Sequence, residues 1–67
     1  MVKIYTQAGN RREFLATAES LAEAKIFIVE DLERNKQDTH YFRYVERNKE
    51  IWVDYGSWYS FFVLVEE

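Results

Sequence analysis

The chain has no cysteine and no proline, only two glycines and a single histidine. Without cysteine there are no disulfides, no thiolate metal ligands and no thiol nucleophile, a composition that suits a reducing compartment. Without proline, no slow X-Pro isomerisation should complicate folding. Gly9 and Gly56 are too far apart to build a phosphate-cradling loop. Long apolar runs are also missing. The longest is "FFVLV", Phe61 to Val65, far short of the roughly 20 residues a membrane-spanning helix needs. The opening "MVKIYTQAGN" shows no basic region ahead of an apolar stretch. Nor is there a clustered positive charge: the net charge is −3 and the basic residues are scattered, unlike the basic stripe of a duplex-binding domain. The expectation is a soluble cytoplasmic protein with no membrane association.

What the chain does have is apolar and aromatic residues, 48% and 18% of the 67 positions. The length allows one domain, residues 1–67, of marginal stability. "VKIYT" (Val2 to Thr6) and "EFLATA" (Glu13 to Ala18) read as two strands of a hairpin, joined by a loop of several residues around "AGN". The period then changes. Ser20 followed by Glu23 forms a capping box, in which the carboxylate can reach back to the Ser20 amide. Leu21, Ala24, Ile28 and Leu32 fall on one helical face. Arg34 and Lys36 suit the negative end of the helix dipole. The spacing predicts a helix over residues 21–35, with Ile26 on its polar side.

Three strands follow: "HYFRYVER", "IWVDY" and "WYSFFVLVEE". Gly56-Ser57 reads as a two-residue loop of type II′. Tyr55 then opposes Trp58, Val53 opposes Ser60, and Ile51 opposes Phe62. If Asn48-Lys49 is likewise a two-residue loop, Arg47 opposes Glu50, Val45 opposes Trp52, and Arg43 opposes Asp54. The opposite charges in two of these pairs favour that register. One face carries Phe42, Tyr44, Ile51, Val53, Tyr55, Trp58, Phe62 and Leu64. The other carries Tyr41, Arg43, Val45, Trp52, Asp54, Tyr59, Phe61 and Val63. The last strand is apolar on both faces and belongs in the middle. The architecture expected is α+β: an antiparallel five-stranded sheet, ββαβββ with strand order 2-1-5-4-3, and one helix running across one face from edge to edge. Glu66 and Glu67 act as gatekeepers after "FFVLV".

One helix covers one face, so the second aromatic face needs an account. Either sheet twist and the first hairpin curl over it, or another molecule covers it. The second option makes Tyr41, Arg43, Val45, Trp52, Asp54, Tyr59, Phe61 and Val63 interface candidates, with Trp52 and Phe61 at the centre. Arg43 among Tyr41, Trp52 and Tyr59 also suits stacking on a nucleobase, so a nucleotide or single-stranded nucleic-acid module is the alternative. The RNP1 pattern of sheet-based RNA readers is absent. Catalytic chemistry has little support. His40 sits at a strand start, Ser57 sits in "YGSW" and not in a nucleophile elbow, and no acidic spacing suggests a metal loop. No catalytic residue, metal ligand or cofactor is assigned.

"YFRY" followed by "IWVDYGSWYSFF" resembles a class of short proteins encoded in phages and prophages of Gram-positive bacteria. The matching positions are Ile4-Tyr5, Ser20-Leu21 with Glu23-Ala24, and Asp54 to Ser57. The resemblance implies a phage accessory factor in the cytoplasm of a bacterial host. Many such proteins bind a host or phage macromolecule or sequester a small signal; taken with the uncovered aromatic face, the partner expected is a host or phage protein, or a second copy in a homodimer.

Overall fold

The computed structural model describes residues 1–34, 42–56 and 60–67. The elements are β1 (Val2–Ala8), β2 (Arg11–Ala18), α1 (Leu21–Arg34), β3 (Arg43–Arg47), β4 (Glu50–Asp54) and β5 (Ser60–Glu66). All strand pairs are antiparallel, in the order β2-β1-β5-β4-β3. With α1 packed on one face, this is the ββαβββ α+β architecture that the sequence implies. The doubly apolar β5 is central, as its composition requires: Phe62 and Leu64 are buried on the helix side and Val63 on the other.

Local chemistry explains each turn. In the first hairpin Ala8 pairs with Arg11, so the loop is only Gly9-Asn10, shorter than the sequence suggests. Gly9 takes φ +60° at the first loop position, where a side chain would be strained. The Gln7 side-chain amide donates to the Gly9 carbonyl at 2.8 Å. Strand β2 therefore starts at Arg11, and a bulge between Ile4 and Tyr5 leaves Leu15 without a ladder partner. In the β3–β4 hairpin Asn48 and Lys49 both have positive φ, 49° and 65°. That is a two-residue type I′ loop, and Arg47–Glu50, Val45–Trp52 and Arg43–Asp54 pair as expected.

The β4–β5 hairpin differs from the two-residue reading. Val53 pairs with Phe62 and Ile51 with Leu64, a register displaced by two residues. The Asp54 carboxylate accepts the Gly56 amide at 3.0 Å, an Asx turn that carries the chain beyond a tight loop. The Tyr55 hydroxyl and Ser60 Oγ meet at 2.8 Å on the way back. Because strand side chains alternate with period two, a two-residue displacement leaves the face assignments of the paired strand residues intact. Trp58 lies outside the described residues.

The helix starts where Ser20 Oγ accepts the Glu23 amide at 3.2 Å. The Glu23 carboxylate returns to the Glu19 amide at 3.1 Å, one residue earlier than a capping box requires. Ala24, Ile28 and Leu32 are buried against Val2, Ile4, Ala18, Val53, Tyr55, Phe62 and Leu64. Leu21 is half-buried at the margin. The helix packs on β2, β1 and β5, not from edge to edge as the sheet dimensions suggest. Beyond it, Tyr44 of β3 is 42% exposed, with the Lys25 ammonium 4.4 Å from its ring centroid. Ile26 stays on the outer side of the helix, 58% exposed.

Candidate functional site

On the face away from the helix, the register lines side chains up in rows. The middle row is Phe14, Tyr5, Val63, Trp52 and Val45, one residue from each strand. In a flat sheet β2 and β4 would be three strand spacings apart, roughly 14 Å. Yet Arg12 of β2 and Glu50 of β4 form a two-pronged ion pair, at 2.7 and 3.1 Å. The sheet is therefore strongly coiled and this face is concave.

That ion pair is the centre of a clasp. Arg12 Nε donates to Gln7 Oε1 at 2.7 Å, and the Trp52 indole donates to Glu50 at 3.2 Å. The guanidinium lies 5.6 Å from the Tyr5 ring centroid and 5.9 Å from that of Trp52. The Arg12 and Glu50 side chains are 34% and 25% exposed, so solvent screens them only in part. The Arg12 hydrogen bond, helped by the Trp52 indole and by the Arg12 charge, holds the Glu50 carboxyl below its ordinary pKa against the opposing effect of burial. The Glu50 hydrogen bond likewise raises Arg12. Beneath this roof Val63 is fully buried. Trp52 and Phe61 meet edge to face at 5.5 Å and are half-buried by their own chain.

The clasp leaves the β4–β3 end open. There a groove of about 240 Å³ is lined by Arg43, Val45, Arg47, Trp52, Asp54 and Phe61. Of the residues the sequence singles out, the structure brings Arg43, Val45, Trp52, Asp54 and Phe61 together. Val63 lies in the same face but under the clasp, not at the groove. Tyr41 and Tyr59 lie outside the described residues, as do His40 and Ser57. Arg47 joins the site unannounced. The sequence pairs it with Glu50, but its guanidinium sits 5.2 Å from the Trp52 ring centroid while Glu50 turns to Arg12. Among the described residues, neither Arg43 nor Arg47 enters an ion pair. Arg12 and Glu50 were also missed. Reading Gly9-Asn10 as a tight turn would have placed Arg12 on this face, but its partner follows only from the curvature.

Among the described residues, no group of three or more acidic or histidine side chains could hold a metal. None of the described helices is long and apolar enough to cross a membrane. Fold and site together define a one-helix α+β sheet protein with a concave, arginine-rimmed aromatic face. No family model matches the chain, and neither a curated protein nor a solved structure matches it.

Proposed function

We propose that this chain is a non-enzymatic binding protein that acts by protein–protein contact through the open end of its concave sheet face. The observation that carries this reading is the groove itself. Val45, 40% exposed, lies between Arg43 and Arg47 beside half-buried Trp52 and Phe61. Aromatic anchors flanked by arginine are the composition of interface centres. These side chains bind and orient; they do not form a nucleophile–base pair. The groove's size favours a side chain over a cofactor, since typical small-molecule sites enclose ~300–1,000 Å³.

A nucleotide or a single-stranded nucleic acid is the second reading, favoured by two arginines that share the groove with an indole and enter no ion pair among the described residues. It is the weaker one. The Trp52 ring is already engaged by Arg12, Arg47 and Phe61, which leaves little of it for a base to stack on. The resemblance at Ile4-Tyr5, Ser20 to Ala24 and Asp54 to Ser57 supplies the setting: a phage or prophage accessory factor in the bacterial cytoplasm, its partner a host or phage protein. A homodimer would use the same face.

Affinity capture from a bacterial lysate, run with wild type and Val45→Asp, tests the reading. Val45 is exposed, so the variant should fold. A captured protein that is lost with Val45→Asp supports contact through this face; one retained by both overturns it. Analytical ultracentrifugation of the free chain shows whether a second copy takes the place of that partner.

A further inference from the structure

The groove runs along an open edge. β3 is the last strand of the sheet, and all its residues are exposed. In a two-residue hairpin the residues flanking the loop form a hydrogen-bonded pair, and such pairs then alternate along the ladder. Arg47, Val45 and Arg43 therefore bond to β4, whereas Tyr44 and Glu46 direct their N–H and C=O groups outward. Among the described residues no other backbone group bonds to them. The outer edge is thus a template for one more strand.

The side chains specify which strand. Arg43, Val45 and Arg47 project on the groove side, as positive, apolar, positive. A second copy of β3 is a poor match. Two-fold pairing about Val45 would set Arg43 directly against Arg47, and like charges across a ladder are destabilising. An acidic–apolar–acidic sequence satisfies all three positions, and it sets carboxylates against Arg43 and Arg47, neither of which enters an ion pair among the described residues.

We propose that the outer edge of β3 receives an extended acidic segment of a partner protein, added antiparallel as a sixth strand. Its pattern is acidic-x-apolar-x-acidic: the carboxylates meet Arg43 and Arg47, and the apolar residue enters the groove beside Val45 and Trp52. This rests on the proposed contact face and names what occupies it.

The test uses a fluorescent peptide with the core Glu-Thr-Val-Thr-Glu, titrated by anisotropy against the full chain. Saturable binding is expected, weakened about tenfold or more by Arg43→Glu with Arg47→Glu. The same double variant should prefer a Lys-Thr-Val-Thr-Lys peptide. N-methylation of the two threonines, whose amides face β3, should abolish binding; N-methylation of the valine, whose amide faces away, should not. Equal binding of the acidic and basic peptides by wild type overturns the proposal, as does indifference to the position of N-methylation. So does tighter binding of an oligothymidine, or a wild-type dimer that the double variant dissociates. Peptide failure with capture still lost in Val45→Asp overturns the acidic strand alone. Capture that survives Val45→Asp overturns the face and the strand with it.

Discussion

Glu50 accepts three hydrogen bonds, two from Arg12 and one from the Trp52 indole. Its carboxyl titrates below the ordinary value because those donors favour the charged form. The folded pKa lies below the unfolded one. The resulting stability is therefore present above the ordinary glutamate pKa, and is lost as pH falls through that value towards the lower folded one. Glu50→Gln should destabilise by about 1 kcal/mol at pH 7, between the values for an exposed and a buried pair. Thermal melts at pH 7 and pH 3 should show that difference shrinking in acid. Two backbone positions make opposite predictions. Gly56 has φ 97°, so Gly56→Val should cost roughly 1–3 kcal/mol. Lys49 has φ 65° with a side chain, so Lys49→Gly should gain about 0.5 kcal/mol, read as a rise of a few degrees in Tm.

Helix and strands were legible because their signals are periodic. Leu21, Ala24, Ile28 and Leu32 announced α1, and the first two-residue loop tried on Asn48-Lys49 reproduced the β3–β4 register. The β4–β5 register was not legible. Gly56 fits a tight turn and an Asx turn equally well, and only the Asp54 carboxylate on the Gly56 amide separates them. The first hairpin failed in the opposite direction, because Arg11 and Arg12 look like loop residues until Arg12 is seen to have a partner across the sheet. The clasp was beyond any pattern, since Arg12 and Glu50 meet only when the sheet coils. The helix seat is testable at Leu32, which is 3% exposed. Leu32→Ala should lose about 2–5 kcal/mol in urea unfolding, close to the whole stability of so small a domain.

At the scale of the whole molecule, the concave face explains how one helix suffices. The sheet packs β2, β1 and β5 under α1 and roofs the middle of the other face with its own charged side chains, leaving the β3 end open. The middle of that sheet is made from the end of the chain. β5 joins the β1–β2 hairpin to the β3–β4 hairpin, and Val2 pairs with Glu66 while the Glu67 amide donates to the Met1 carbonyl at 2.8 Å. In kinetic terms, the two hairpins cannot join into one sheet until β5 closes a ring spanning residues 2–66, and that closure entropy precedes the reward from pairing along β5. Folding should be slow for this size, in milliseconds to seconds by stopped-flow fluorescence of the tryptophans, and without a populated half-built state. A chain cut after Gly56 should show no cooperative melt at all. The two hairpins would then lack the strand that joins them, and α1 would keep only its seat on β1 and β2.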